Sequence, residues 1–393
     1  MRHAALLVLV AAVAALAAAG AAYPGHGNGN GYGHGHHGRG REHGHGHGIR
    51  AGSVVWVQTN EVSGNQIVVF DRSSDGTLTQ AGVYATGGNG GVAAPGTESD
   101  HLASQGSLAF DARHSLLIAV NAGSDTVTTF KVHGDRLQGG QVVPSGGEFP
   151  ASVAVRGRLV YVLNSGGTGI VQGFAIRGHH LRPIPGSARS LGLANTNPPN
   201  FLTSPGQVGF SPSGRKLLVT TKASGSAIDV FHVRRDGTLS DTPVVNPSAT
   251  PVPFAFTFTP QGRLASGEAG ASSLTTYELA HDGTLADARS ATDGQTALCW
   301  IIRVGGFYYV SNTGSNNLSS FTVGSDGTPS LLAAVATTTD AGPIDLTASG
   351  GYLYAQTGTT GTVDEFHVNS DGSLTSVGSV TGLPVGQEGI ASN

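Results

Sequence analysis

The sequence predicts an all-β protein: a ring of seven four-stranded antiparallel blades, closed by pairing the C-terminal strand into the N-terminal blade. Three observations lead to this prediction. Only 12% of the 393 residues are charged, whereas 61 are Gly, a composition that favours many short strands with tight turns over a helical bundle. A unit of about 45 residues repeats along the chain, which is the period of a β-propeller blade. The last segment of the chain also has the pattern that opens each unit.

Each unit contains an apolar stretch, a turn of small residues and a strand that ends in an aromatic residue. This aromatic marker occurs at Phe70, Phe130, Phe174, Phe231, Tyr277, Phe321 and Phe366. The successive spacings are 60, 44, 57, 46, 44 and 45 residues, so the markers predict seven blades. An Asp-Gly pair follows five of the markers and predicts a hairpin turn, because Gly adopts positive φ freely.

The two ends of the repeat region predict how the ring closes. The segment Pro384–Ser392 has the pattern that opens the internal units, whereas the region begins in the middle of a unit at Ser53. Blade one is therefore expected to take three strands from residues 53–85 and its first strand from Gln387–Ala391. Pairing the two termini in this way leaves no open sheet edge.

The first 52 residues predict a leader and a linker. Residues 1–22 combine Arg2, an Ala/Leu/Val run and small residues, which is typical of a secretory signal peptide; an uncleaved membrane anchor is the alternative. Residues 23–52 are rich in Gly and His and are expected to be a disordered linker, whose imidazoles could also bind a divalent metal weakly. We expect residues 53–393 to form a secreted or periplasmic monomeric propeller with no membrane span after signal cleavage.

Charge and cysteine content exclude several classes of protein. The net charge is −4 and no basic patch is interleaved with aromatic residues, so nucleic acid is not an expected partner. Cys299 is the single Cys, which excludes an internal disulfide. The sequence contains no Ser-His-Asp arrangement and no convincing metal-ligand spacing, and it predicts no cofactor.

Two long insertions indicate where a ligand would bind. They comprise residues 87–103 and 186–204, and each falls between the fourth strand of one blade and the first strand of the next. In an antiparallel blade these connections emerge on the same face as those between the second and third strands. We call this face the insertion-bearing face. Loops of this length are usually functional or disordered, so a small-molecule or cell-envelope ligand is expected at the channel rim there.

Charged residues replace turn-forming residues at the ends of three predicted second strands. The position nine residues before the aromatic marker holds Glu61, Lys222 and Glu268 in these units. We hypothesise a catalytic set in which Glu268 is the acid or base, Lys222 stabilises negative charge and Glu61 positions substrate or water. Three solvated loop residues are the alternative.

Further polar and aromatic residues are predicted to bind the ligand around this set. They are His101 in the first insertion and the residues near the starts of first strands, namely Gln105, Gln207, Trp300, Asp345 and Glu388. Asp345 and Glu388 are expected to face the channel, and His101 could carry a proton. An incidental loop histidine and a core tryptophan are the alternatives for His101 and Trp300.

Three segments resemble the seven-bladed lactonase propellers, which include 6-phosphogluconolactonase-like and carboxymuconate-cyclising enzymes. They are Val162-Leu-Asn-Ser-Gly166, Phe210-Ser-Pro-Ser-Gly214 and Tyr309-Val-Ser-Asn-Thr-Gly314. The resemblance spans roughly residues 53–393 and implies a hydrolase acting on a lactone or related cyclic ester. The His and Arg rim motifs of that family are replaced here by Ala103–Gly106 and Ser204–Gln207, whereas Glu268 retains an acid. A non-catalytic secreted propeller that binds a small ligand or a protein is the alternative.

Overall fold

The computed structural model describes residues 53–393, and these residues form a closed ring of seven antiparallel blades. The predicted fold class is confirmed, including closure by the C-terminal strand. The predicted signal peptide and the Gly/His-rich linker lie outside the described residues. Within residues 53–393 the helices are two 3₁₀ turns, Ala122–Ser124 and Lys222–Ser224. No helix of this region has the length and apolar character needed to cross a membrane.

The strands are numbered along the chain. Blade one contains β1 (Ser53–Gln58), β2 (Gln66–Arg72), β3 (Leu78–Ala85) and, as its innermost strand, β29 (Ile390–Ser392). Blade two contains β4 (Leu108–Asp111), β5 (Leu116–Asn121), β6 (Thr126–His133) and β7 (Arg136–Pro144). Blade three contains β8 (Pro150–Arg156), β9 (Leu159–Asn164), β10 (Ile170–Arg177), β11 (His180–Pro183) and the short β12 (Arg189–Ser190), which also pairs with β10.

The remaining blades follow the same order. Blade four contains β13 (Gln207–Phe210), β14 (Lys216–Thr220), β15 (Ala227–His232) and β16 (Val244–Pro247). Blade five contains β17 (Pro253–Phe258), β18 (Leu264–Glu268), β19 (Ser273–Leu279) and β20 (Leu285–Thr292). Blade six contains β21 (Leu298–Val304), β22 (Phe307–Asn312), β23 (Asn317–Val323) and β24 (Pro329–Thr338). Blade seven contains β25 (Pro343–Ser349), β26 (Tyr352–Thr357), β27 (Thr362–Val368) and β28 (Leu374–Val380).

The first strand of each blade contacts the first strands of both neighbouring blades, so these seven strands surround the central channel. The second strands are buried on both faces; in β5 every residue is buried. The fourth strands form the outer edge, and β3 is mostly exposed beyond Leu78. Burial therefore falls outward from the channel, as expected for strands that pack between two blades on the inside and meet solvent on the outside.

Seven hydrophobic clusters hold the ring together, one at each interface between neighbouring blades. Each cluster contains one aromatic marker: Phe130 fills the interface of blades one and two, for example, and Phe231 that of blades three and four. The sequence period follows from this packing, because every blade needs one large ring to fill the wedge against its neighbour.

The Asp-Gly pairs form the predicted hairpin turns between third and fourth strands. Gly76 has φ +92° and Gly372 has φ +86°, which L-residues rarely adopt. The Asp carboxylate also accepts a hydrogen bond from the residue two positions on, as in Thr77 N to Asp75 Oδ1 at 3.1 Å. Neighbouring blades bind the same turns: the Tyr354 hydroxyl donates to the carbonyl of Gly76 at 2.8 Å.

The start of one predicted strand differs from the prediction. The first strand of blade one begins at Ile390 rather than Gln387, because residues 387–389 lie between the turn at Val385-Gly386 and the ladder. In blade four, the fourth strand begins at Val244. Leu239 makes one isolated bridge to Val233 before the chain leaves the ladder.

Blade one closes the ring through a short ladder between β29 and β1. Ile390 pairs with Val57, Ala391 with Trp56 and Ser392 with Val55. The ladder is extended on one side by Gln58 N, which donates to Gly389 O at 2.8 Å. Ile390 is 4% exposed and packs at the interface of blades seven and one. A three-residue strand thus completes both the sheet and the last interface.

We expect Ile390→Ala to destabilise the whole domain by about 2–4 kcal/mol, the usual cost of deleting a buried branched side chain. The matched control is Val385→Ala, because Val385 is 54% exposed; its change should stay within about 0.5 kcal/mol. Denaturant unfolding measures both.

Truncation before Pro384 should abolish the cooperative transition, and a truncated chain that unfolds like the full-length domain would contradict this account of closure.

Candidate functional site

The first insertion continues past the rim and crosses the central channel. We call residues 100–106 the plug. Leu102, Ala103 and Ser104 are fully buried. The Ser104 hydroxyl donates to Ala151 O of blade three at 2.8 Å, and the Ser104 carbonyl accepts from Trp300 Nε1 of blade six at 2.8 Å. Because these partners belong to blades on different sides of the ring, the plug spans the channel.

Two more contacts extend the plug across the ring. The Gln105 side chain pairs with the backbone of Ile301 in blade six, donating from Nε2 to the carbonyl at 3.1 Å and accepting from the amide at 3.0 Å. The Gln105 amide donates to Gly206 O of blade four at 3.0 Å. Gln105 and Trp300, both predicted to bind ligand, are therefore in the channel and hold the plug.

Glu388 anchors the plug from blade one. Its carboxylate accepts hydrogen bonds from the amides of Leu102 at 2.5 Å and Ser104 at 3.1 Å. The side chain is fully buried. Burial and the neighbouring Asp100 carboxyl raise the pKa of Glu388 well above its ordinary value. Glu388, which was expected to face the channel, therefore has both carboxylate oxygens occupied by backbone amides of the plug.

Lys222 joins the two insertions to each other. Its ammonium donates to Ala103 O in the plug at 2.6 Å and to Phe201 O in the second insertion at 2.5 Å. The insertions also bond directly, with Ala94 N donating to Pro199 O at 2.8 Å. The ammonium lies 5.0 Å from the ring centre of Phe254, a favourable cation–π distance. Lys222 is 1% exposed and holds the two insertions together through these hydrogen bonds; we call it the clasp.

The charges around Lys222 form one electrostatic group. Burial lowers the pKa of Lys222 to about 8, and Asp100, Cys299 and Glu388 oppose that shift. Burial also raises the pKa of Asp100 to about 6, while Lys222 opposes it. Asp100 is hydrogen bonded to Ala103 N at 2.8 Å and, unlike Lys222 and Glu388, keeps exposed surface. Asp100 thus places a carboxyl whose pKa is raised by burial beside a buried cation, in a residue that keeps part of its surface exposed.

Asp345 and Gln207 support the channel wall. Asp345 is 2% exposed and accepts hydrogen bonds from Leu346 N at 3.0 Å and from the plug at Gly106 N at 3.5 Å. Burial raises the pKa of Asp345 to about 7. Gln207 accepts a hydrogen bond from Phe256 N of the next blade at 2.6 Å. Gln207 thus links the first strands of blades four and five, and Asp345 links the first strand of blade seven to the plug.

His101 lies at the outer end of the plug and is partly exposed. Its ring packs directly on Gly386, where a Cβ atom would come within 1.8 Å of the imidazole. Burial lowers the pKa of His101 below its ordinary value, so the neutral ring is favoured at neutral pH. His101 and Asp100 are adjacent, partly exposed and on the insertion-bearing face.

Glu268 and Glu61 are not bonded to this group. Both Glu268 oxygens are used within blade five, by the hydroxyls of Tyr277, Thr250 and Thr275 and by Thr250 N. The side chain is fully buried, and burial raises its pKa. Glu61 is partly exposed in the β1–β2 loop, where its carbonyl accepts from Gly90 N at 2.8 Å. No hydrogen bond or ion pair among the described residues joins the side chains of Glu61, Lys222 and Glu268 to one another.

The hypotheses based on sequence gave no role to Asp100, Ser104 and Phe201. Asp100 and Phe201 lie in the insertions, and Ser104 directly follows the first one. These segments have no counterparts in the other blades, so the repeat could not indicate their positions. The available signal was the Asp100-His101 pair in a chain poor in charge. Within the described region, no group of three or more His, Cys, Asp and Glu side chains is placed to hold a metal ion.

Solved structures with this fold include several lactonase-type propellers. A Bacteroides fragilis protein provisionally named a 6-phosphogluconolactonase superposes with a TM-score of 0.69 at 16% identity, covering 89% of this chain and 100% of that one. The periplasmic gluconolactonase of Pseudomonas aeruginosa gives a TM-score of 0.67 at 17% identity, covering 86% and 98%. No family model matches the chain, and no curated protein matches it significantly in sequence. The predicted likeness to seven-bladed lactonase propellers is confirmed as a likeness of fold.

Removing the clasp should loosen both insertions. In Lys222→Met, the carbonyls of Ala103 and Phe201 lose their donor and the buried carboxyls lose their cation, so we expect a loss of about 3 kcal/mol in unfolding free energy. Amide exchange at Leu102 and Ser104 should accelerate. Lys131→Met is the control, because Lys131 makes no ion pair or side-chain hydrogen bond among the described residues. Unchanged exchange in Lys222→Met would contradict the clasp.

The buried carboxyls predict an unusual pH dependence. Asp345 and Glu365 have pKa values raised by burial to about 7, above their unfolded values of about 4. The folded state binds these protons more tightly, so their stabilisation is present below pH of about 4 and is lost as pH rises to about 7. Calorimetry should show Tm falling across this interval. Asp345→Asn should flatten the curve; a wild-type Tm that rises there would refute the prediction.

Proposed function

We propose that this protein is a secreted propeller that binds a small polar ligand at the insertion-bearing face, in contact with Asp100 and His101. The observation that carries the proposal is the plug. Amides of the plug donate to both carboxylate oxygens of Glu388, and a carbonyl of the plug accepts from the ammonium of Lys222. Both side chains are buried. Asp100 and His101 are the ionisable members of the group that retain exposed surface.

The charge of this face indicates the class of ligand. Its loops carry partly or fully exposed carboxylates at Glu61, Glu98, Asp100, Asp125, Glu148 and Asp340. Among the described residues of these loops the cations are Lys222, which is buried, and Arg189, which is partly exposed in β12 and whose guanidinium is 3.3 Å from Asp241 in the β15–β16 connection. An acidic face repels anionic ligands. A neutral, polyhydroxylated ring that donates hydrogen bonds to Asp100 fits this site best.

Hydrolysis of a cyclic ester is a second candidate, favoured by the shifted pKa of Asp100. A carboxylate with a pKa of about 6 can accept a proton from water at neutral pH. The water would attack the lactone carbonyl, the ring C–O bond would break as Asp100 returned the proton to the ring oxygen, and a hydroxy acid would leave. The nearby Lys222 ammonium favours the ionised form of Asp100. The shared fold with a periplasmic gluconolactonase supports this candidate, and it requires no contribution from Glu268.

Binding and turnover can be tested with a panel of neutral sugars and the corresponding aldonolactones. Asp100→Asn should weaken binding of the best ligand roughly tenfold, the loss typical of a charge-assisted hydrogen bond, and should abolish any lactone opening. Glu98→Gln is the matched control, since Glu98 is exposed in the same insertion. Calorimetry measures binding, and pH-stat titration measures acid release.

The outcomes separate the two candidates. Binding without acid release supports the binding protein, whereas acid release that depends on Asp100 supports the hydrolase. If Glu268→Gln abolishes turnover while remaining folded and Asp100→Asn does not, the assignment to Asp100 fails and the sequence-based hypothesis is restored. If Asp100→Asn and Glu98→Gln bind every ligand as the wild type does, the site lies elsewhere.

A further inference from the structure

The face opposite the insertions is strongly basic over three blades. It is formed by the turns between first and second strands and between third and fourth strands. In blades two to four these turns and the strand ends that flank them hold eleven Lys and Arg residues: Arg113, Lys131, Arg136, Arg156, Arg158, Arg177, Arg182, Arg215, Lys216, Arg234 and Arg235. The same hairpins hold four carboxylates, Asp111, Asp135, Asp236 and Asp241. We call this surface the basic face. Eleven cations against four anions give +7, although the whole chain carries −4.

Most of these cations have no carboxylate partner. Among the described residues, Arg234 is the one member of the set in an ion pair, 3.2 Å from Asp241. On the same side of blade five, by contrast, Arg263 and Arg289 each lie 3.1 Å from Asp287. Surface charges on blade five are therefore neutralised locally, whereas those on blades two to four are left for an external anion.

Two adjoining grooves run through the basic face between blades three and four. The larger, about 510 Å³, is lined by Arg215, Lys216 and Arg234, with His232 and His281 beside them. The smaller, about 410 Å³, is lined by Arg158, Arg177 and Arg182. Arg235 and Leu159 belong to both grooves, so the two form one continuous cationic track.

Lys216 is a cation of the larger groove that has no bonded partner in the described part of the chain. It lines the larger groove, is 7% exposed and makes no side-chain hydrogen bond or ion pair among the described residues. Burial and the neighbouring Arg215 lower its pKa, with Asp282 acting in the opposite direction. The ammonium is not among the buried unpaired side-chain atoms of the described residues, so it is accessible from the groove, and an anion bound there would give it a partner.

We propose that the basic face binds an anionic polysaccharide, with the sulfate or carboxylate groups of successive sugars placed in the two grooves. The planar guanidinium fork matches such groups in bidentate geometry. No Phe, Tyr or Trp lines either groove, so the track lacks the stacking platforms with which single-stranded nucleic acids are bound. This binding is distinct from that of the neutral ligand proposed for the opposite face.

The test uses the full domain with a heparin oligosaccharide, polygalacturonate and single-stranded DNA of equal charge. Affinity is measured at several salt concentrations. The variant Arg177→Gln/Arg235→Gln removes one unpaired cation from each groove; Arg289→Gln/Arg303→Gln removes the same charge from blades five and six of the same side. The basic-face variant should bind the polysaccharide at least about tenfold more weakly, and its logarithmic salt slope should fall by about two.

The control variant should bind within about twofold of the wild type. Equal losses in both variants would show that net charge alone drives binding and would overturn the proposal. Tighter binding of DNA than of either polysaccharide at matched charge would also overturn it in favour of a nucleic-acid surface, as would no detectable polysaccharide binding at physiological ionic strength. If the protein binds no neutral ligand at Asp100 but still binds the polysaccharide on the basic face, the proposed function is refuted and the present proposal stands.

Discussion

Closure of the ring is the constraint on which the other features depend. A blade has two apolar faces, and neither can be buried without a neighbour, so every interface must exist for any blade to be fully packed. Six interfaces follow from consecutive segments of chain, whereas the seventh requires β29 to pair with β1 from the far end of the sequence. The single Cys is buried and free, so within the described domain this closure depends on hydrogen bonds and on packing around Val55, Val57 and Ile390.

Closure creates a second requirement at the centre. The starts of seven first strands converge on the channel, together with acidic and basic side chains that cannot be left unpaired in a protein interior. The plug meets this requirement, because its amides and carbonyls bond to Glu388, Lys222 and Trp300 at once. At position 222 a cation replaces the usual turn residue, and it donates to one carbonyl oxygen of the plug and one of the second insertion.

The difference between the site predicted from the sequence and the site proposed from the structure follows from the range of the interactions. Hairpins, aromatic markers and strand order depend on neighbours within one or two blades, and these were predicted well. Glu61, Lys222 and Glu268 occupy equivalent repeat positions, but their surroundings differ. Glu268 meets hydroxyls of its own blade, whereas Lys222 meets two insertions. Asp100 lies in a segment without repeat equivalents, so its proximity to Lys222 could not be inferred from the period.

The sequence by itself determined the number of blades, the hairpin turns and the pairing of the two ends, because each depends on a local pattern repeated at a regular interval. Tertiary structure decided the contents of the channel and the two faces of the ring. Residues 100–106 and 222 are far apart in sequence and meet only once the ring has closed. The Arg residues of blades two to four are also scattered along the chain, and they form one basic track because successive hairpins emerge side by side on the same face.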